Sequence, residues 1–198
     1  MTSIPRRDKR IELIRFGVEV FTEKGFHNTS IDEIVAAVGV PKGSFAYYFG
    51  SKDAYTVAVI EAYGEYFSKK LDNILTNKSV NPIRRIELFT DEAINGVERF
   101  DFKRGCLVGN LGQELGSIDD KFRAVLLATL RQWQEKIRIC LDEAKEIGEL
   151  NQGADTAELS SFFWYAWEGA VLGAKLERSR VPLEIVKRAF FKQLTCTS

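Results

Sequence analysis

The chain has 198 residues, enough for one or two domains with a real core. Its 45% hydrophobic and 28% charged residues, three scattered cysteines and formal net charge of zero exclude a disordered chain, a disulfide scaffold and a polyanion binder by bulk charge. No apolar run approaches the ~20 residues of a membrane span, and the charged N-terminus lacks the apolar stretch of a secretory leader. The expected setting is the cytoplasm, with reduced thiols and no membrane partner.

Met1 to Arg7 reads as a basic arm, in which Arg6 and Arg7, with Lys9 and Arg10 behind them, suit backbone phosphates or a minor groove as well as a solvated tail. Asp8 to Lys24 is predicted as an amphipathic helix with Ile11, Ile14, Phe16, Val18, Val20 and Phe21 on its buried side, and Gly25 ends it. Ser30 then offers an N-cap, and Glu33 follows three residues later as a capping box requires. Ile31, Ile34, Val35 and Val38 recur at helical spacing up to Gly39, where a positive φ is easiest. Pro41 fits the start of a second short helix. Two short helices joined by a glycine turn read as a helix-turn-helix. The second carries Lys42, Ser44, Tyr47 and Tyr48, whose ammonium, hydroxyl and phenols reach phosphate oxygens and base edges; Lys52 follows. Residues 1–52 hold eight basic and six acidic side chains, a weak excess in the same direction. Ile31, Ile34 and Phe45 are expected to close a three-helix core on the first helix.

Ser51 caps a predicted long helix from Lys52 to about Leu75, and Pro82 starts another that runs to about Phe100 with Ile83, Ile86, Phe89 and Ile94 inward. Residues 101–118 are unusual, with glycines at 105, 109, 112 and 116, each costing a helix about 1 kcal/mol against alanine. They read as a short helix beginning near Cys106, its glycines serving tight packing or a local break. Asp119 caps a helix to about Ile147 with Phe122, Val125, Leu126, Trp133, Ile137 and Leu141 inward. A helix from Asp155 to about Arg178 carries the aromatic block Phe162 to Trp167 and small residues at Gly169, Ala170, Gly173 and Ala174. Pro182 opens a last helix to about Leu194. The small residues suit either an intermolecular four-helix bundle or packing within the chain. The fold class is therefore all-α, with about nine helices: a helix-turn-helix DNA-binding domain over 1–52 and a helical regulatory and dimerisation domain over 53–198.

The run from Gly39 to Asp53, GVPKGSFAYYFGSKD, with Gly25-Phe26, Thr29-Ser30 and Ile34 upstream, resembles the signature of the TetR family of bacterial repressors. The resemblance is specific over the first fifty or so residues and departs at Ala46, where the family usually has tyrosine. It implies a homodimer whose reading helices enter half-sites of a palindromic double-stranded operator about 34–36 Å apart. It also implies a long helix whose tilt carries movement from body to head, and DNA contacts at Thr29, Ser30, Lys42, Gly43, Ser44, Tyr47, Tyr48 and Lys52. A small-molecule inducer would switch operator affinity off by binding the DNA-incompetent form better.

A second likeness concerns Arg104-Gly105-Cys106-Leu107 and Trp167-Glu168-Gly169-Ala170 to Ser179, which are similar to the NemR-like, electrophile- or oxidant-responsive branch. It implies a regulatory thiol at Cys106 with Lys175 as its partner. The neighbouring Lys103 and Arg104 favour a thiolate, whereas a buried, inert cysteine is the commoner case. Cys140 reads as core and Cys196 as a frayed tail. The alternative to a thiol switch is a non-covalent apolar or aromatic ligand against Trp133, Phe163, Trp164 and Trp167, with Tyr165 beside them. A thiol-dependent enzyme is the rival class. It wants a histidine base near Cys106, and the single histidine, His27, falls in the head. No phosphate loop, metal cluster or paired-carboxylate motif is present in the sequence, so no catalytic residue, metal or cofactor is expected.

Overall fold

The computed structural model describes residues 6–195, which form nine α-helices and no strand. They are α1 (Arg6–Glu23), α2 (Ile31–Val38), α3 (Lys42–Phe49), α4 (Lys52–Leu75), α5 (Pro82–Glu98), α6 (Leu107–Leu115), α7 (Asp120–Glu146), α8 (Thr156–Glu177) and α9 (Val181–Thr195). The fold is all-α, with an N-terminal helix-turn-helix and a helical body. The expectations for Met1 to Pro5 and for Cys196 lie outside the described residues.

Packing divides the chain into two units. The first holds α1 to α3, α4 as far as residue 65, and residues 106–129, which bring in α6 and the start of α7. Its core is Leu13, Phe21, Ile34, Phe45, Tyr55, Val59 and Ile60, with Leu111 from α6. The buried face of α1 differs from the expected one. Leu13 is fully buried, whereas Ile11 is 49% exposed and Phe16 half-buried. The apolar residues of α1 nearly encircle it, so spacing alone cannot choose between adjacent faces. Contact does: Gly17 lies against Tyr55 and Val59, where a Cβ would collide with the phenol oxygen. The Tyr55 hydroxyl donates to the Leu13 carbonyl at 2.7 Å, and burial pushes its phenol well above the ordinary range.

The second unit holds residues 66–105 and 130–195 of the described chain. Phe89, Trp133, Phe163, Trp164 and Phe190 are all at most 1% exposed and form its core. Around them, Ser68 donates to Gln132 at 3.0 Å and Lys136 pairs with Asp72 at 2.6 Å, joining α4 to α7. Helices α8 and α9 are antiparallel, since Gly173 meets Pro182 while Phe163 meets Phe190 at 5.0 Å between rings. A Cβ on Gly173 would lie 3.0 Å from Pro182, so this glycine serves close approach within the chain. Ala170 and Ala174 are also buried, and of the four small residues only Gly169 faces solvent. Internal packing thus claims most of that set.

Arg85 is 3% exposed, unusually buried for an arginine. Its guanidinium donates to the carbonyls of Val80 and Leu75 and to Glu143, which satisfies the buried charge. Between α5 and α6, Asp101 and Phe102 both hold positive φ, at 51° and 57°, a costly conformation for side-chain-bearing residues.

Candidate nucleic-acid interface

Local chemistry builds the reading surface. Glu33 N–H donates to Ser30 Oγ at 3.1 Å, so Ser30 caps α2. Gly39, at φ 68°, closes α2 with the paired bonds Gly39 N–H to Ala36 and Val40 N–H to Val35. Pro41 is the N-cap of α3, one residue before its helical start. Phe45 is 2% exposed and anchors α3, stacking obliquely on Phe49 and Tyr55 at 5.3 and 5.1 Å. With Phe45 turned in, the opposite side of α3 is turned out.

That outer side carries Lys42, Gly43, Ala46 and Tyr47, all exposed, with Ser44 and Tyr48 half-buried. Tyr47 is 73% exposed and its ring meets Tyr48 edge-on at 5.3 Å. Gly43, Ser44, Tyr47 and Tyr48 line a shallow concavity of about 220 Å³. Among the described residues, nothing beyond the adjoining chain lies within 4 Å of where a Cβ on Gly43 or Gly39 would stand, so both positions are open to an approaching partner. Lys42 Nζ pairs with Asp32 on α2 at 2.7 Å, both side chains exposed. This is a compact set of donors and aromatic edges, suited to phosphates and major-groove bases.

Two of the expected contacts sit elsewhere. Thr29 is 1% exposed, and its hydroxyl donates to the Gly25 carbonyl at 2.8 Å. It fixes the α1–α2 turn rather than facing solvent. Lys52 turns back along the head, donating to the Phe26 carbonyl at 2.7 Å and lying 4.0 Å over the Phe26 ring. Burial lowers its pKa, against the raising effect of Glu114 and Asp53. Of the basic arm, Lys9 pairs with Glu12 at 2.7 Å and Arg10 lies over Phe49 at 5.3 Å, so both are engaged inside the head.

Sequence reading missed the groups that hold the turn before Ser30. Glu114, on α6, accepts the backbone N–H of Phe26 at 2.7 Å and of His27 at 2.6 Å. Asn110, one helical turn earlier, donates to the carbonyls of Phe21 and Thr22 at 3.3 and 2.8 Å. These pairs lie 87 to 89 residues apart in the chain, and no local motif announces them.

Cys106 is the N-cap residue of α6 and half-buried, and Tyr63 Oη donates to its sulfur at 3.9 Å. Lys103 pairs with Asp101 at 3.8 Å, and Arg104 lies 4.4 Å over the Phe100 ring. Cys106 belongs to the first packing unit and Lys175, half-buried on α8, to the second. Cys140 is buried, donating to the Pro82 carbonyl at 3.3 Å, and burial pushes its thiol up to about 12. Trp133, Phe163, Trp164 and Trp167 are at most 4% exposed. With Phe67 they form one ring cluster, in which Trp133 meets Phe67 at 4.6 Å and Trp164 at 5.2 Å, and Phe163 stacks on Trp167 at 5.6 Å. Among the described residues no cluster of three or more potential metal ligands occurs, and no helix is long and apolar enough to cross a membrane.

Comparison with known proteins agrees with this geometry. Residues 13–59 match the bacterial regulatory proteins of the tetR family, and residues 82–190 match the tetracyclin repressor-like C-terminal domain. The chain is 47% identical over 178 residues to the transcriptional regulator AcuR of Cereibacter sphaeroides, covering 90% of this chain and 81% of that protein. It is 32% identical to the HTH-type transcriptional repressor DhaR of a Mycobacterium species, covering 96% of this chain and 93% of that one. The crystal structure of reduced Escherichia coli NemR superposes with a TM-score of 0.85 at 26% identity, covering 92% and 95% of the two chains. The NemR-like resemblance therefore holds, alongside a higher identity to AcuR. These relatives are regulators, not enzymes, and the chain belongs to the TetR family of bacterial transcriptional regulators.

Proposed function

We propose that the protein is a cytoplasmic, homodimeric repressor that grips a palindromic operator through Ser30, Lys42, Gly43, Ser44, Tyr47 and Tyr48. An inducer acting on the remainder of the chain releases it. In this reading residues 1–52 are the DNA-binding domain and residues 53–198 the regulatory and dimerisation domain. The observation that carries it is the outward set on α3, held by the buried anchor Phe45. Thr29 and Lys52 shape the head from within. The second copy is assigned to α8. Phe162, Tyr165, Leu172 and Leu176 are 46 to 77% exposed and, with Gly169, follow the alternating three- and four-residue spacing of a helix-packing seam. Val181 and Ile185 on α9 extend it, 47% and 50% exposed. Such a face is self-complementary across a two-fold axis. Titration of an operator duplex tests the DNA surface: Lys42→Ala is expected to weaken specific binding, and unchanged affinity would remove α3 from the interface.

For the switch we assign Cys106 as the thiol that meets a reactive electrophile or oxidant, with Lys175 as its partner. Support comes from its half-buried place at the start of α6, the Tyr63 hydroxyl on its sulfur, and the likeness to NemR. Mass spectrometry after mild N-ethylmaleimide treatment is expected to find the adduct on Cys106 together with loss of DNA binding. DNA release with Cys106 unmodified would refute the assignment. A non-covalent ligand among Trp133, Phe163, Trp164 and Trp167 is the second reading. It is favoured by the Trp164 indole N–H, buried without a hydrogen-bond partner among the described residues. Release of DNA by an aromatic ligand from a Cys106→Ser variant would select it.

A further inference from the structure

Helix α6 reaches the reading head through two side chains of opposite hydrogen-bonding character. Asn110 and Glu114 are four residues apart and so share one face of the helix. Leu107, Val108, Leu111 and Leu115 bury the rest of it. The Asn110 amide donates to the carbonyls of Phe21 and Thr22 in the last turn of α1; the Phe21 carbonyl also takes the Gly25 N–H, and the closer Asn110 contact is the one to Thr22. The Glu114 carboxylate takes the N–H groups of Phe26 and His27 in the turn that follows, one on each oxygen. Gly25 is bare where Glu114 sits, and a Cβ there would run into the carboxylate. The same turn is closed from the other side by Lys52 on the Phe26 carbonyl and by Thr29 on the Gly25 carbonyl. It leads directly into Ser30, the cap of α2, and α2 leads through one tight turn into α3.

We propose that Asn110 and Glu114 are positioning residues for DNA binding: they tie the end of α1 and the start of α2 to α6, so that α6 sets the angle at which α3 is presented. Neither touches the outward face of α3. Both act on backbone groups, and backbone placement is what aims a reading helix. The two bonds to Glu114 are charge-assisted and therefore strong for their number. Losing them lets the turn sample other conformations, and specific binding then carries the cost of ordering it. Non-specific phosphate attraction is largely spared. The proposal stands whether or not Cys106 is the sensor, but it rests on α3 being the DNA-contacting helix.

The test uses the full-length protein, its operator duplex and a scrambled duplex of the same length, with Glu114→Ala, Glu114→Gln, Asn110→Ala and Lys42→Ala side by side. Glu114→Ala is expected to lower operator affinity about tenfold, a little over what one good hydrogen bond contributes, with scrambled-duplex affinity within about twofold. Glu114→Gln keeps one acceptor oxygen and is expected to fall between Glu114→Ala and the unaltered protein. Amide exchange at Phe26 and His27 should quicken in Glu114→Ala. An unchanged operator-to-scrambled ratio in a variant that keeps the parent's circular dichroism overturns the proposal, as does an equal loss on both duplexes. If Glu114→Ala does not fold, Glu114→Gln and Asn110→Ala decide by the same ratio. Lys42→Ala separates the two ideas. If it weakens operator binding while the α6 variants do not, the positioning role fails alone. If it has no effect, the reading of α3 fails first.

Discussion

Replacing Asp32 by asparagine is expected to tighten DNA binding and steepen its salt dependence. In the free protein Asp32 holds Lys42 Nζ at 2.7 Å, with side chains 70% and 67% exposed. An ion pair this exposed contributes at most about 1 kcal/mol to folding, so Asp32→Asn should leave the head intact. On DNA its effect is larger, because the lysine must exchange a carboxylate for a phosphate and the carboxylate itself is carried towards a polyanion. Taking about 0.5 kcal/mol per pair and the two subunits per operator proposed above, the gain is about 1 kcal/mol, roughly fivefold at low salt. Each phosphate newly neutralised adds about 0.9 to the slope of log affinity against log salt, so two lysines add up to about 1.8. Fluorescence anisotropy of a labelled operator between about 50 and 200 mM salt measures both quantities. A slope equal to or shallower than that of the unaltered protein, in a variant with the same circular dichroism, would show that Lys42 does not reach phosphate and would refute the reasoning.

Tyr55→Phe is expected to cost about 1 kcal/mol in urea unfolding and no more, because Leu13 lies inside α1 and its carbonyl keeps a helical donor. Glu143→Gln should cost about 2 kcal/mol at neutral pH, since the buried Arg85 charge loses its carboxylate and is left with neutral acceptors, the Val80 and Leu75 carbonyls and the remaining amide oxygen. The hydrogen bond from Lys78, joined by that from Arg85, holds the Glu143 carboxyl below its ordinary 4.5 despite partial burial. The unfolded chain therefore takes up the proton first as pH falls, and this stability is present above about 4.5 and lost through the lower, folded value. Glu143→Gln should flatten that acid-side decline, seen as unfolding midpoint against pH. Cys140 should stay unlabelled by N-ethylmaleimide in the native protein near pH 8 and react once unfolded, as a thiol pushed up to about 12 requires.

What was legible in the sequence was what is decided within a few residues. Ser30 and Ser51 mark their helix starts by hydroxyls that accept the N–H groups of Glu33 and Ala54, Gly39 ends α2 through its positive φ, and α4 begins and ends at Lys52 and Leu75 as its cap and apolar pattern predict. Illegible features depend on partners far along the chain. Ile11 and Leu13 are equally apolar, and only the arrival of α4 beside Gly17 selects Leu13. Lys52 looks like a phosphate contact until Phe26 is placed under it. Nothing around Arg85 in the sequence points to its burial, because its acceptors lie at the end of α4, in a loop and on α7. Asn110 and Glu114 sit in a glycine-rich stretch whose sequence speaks of packing, while their work is done on backbone groups nearly ninety positions earlier.

The apolar seam along α8 has a consequence for dosage. In the dimer proposed above, a solitary subunit would leave Phe162, Tyr165, Leu172 and Leu176 in water and so be driven to pair. Under the pairing proposed for α8, promoter occupancy climbs with the square of the number of molecules where they are scarce enough to remain single, rather than in proportion. On that pairing, promoter control would set in more steeply with copy number than it could for a protein acting singly.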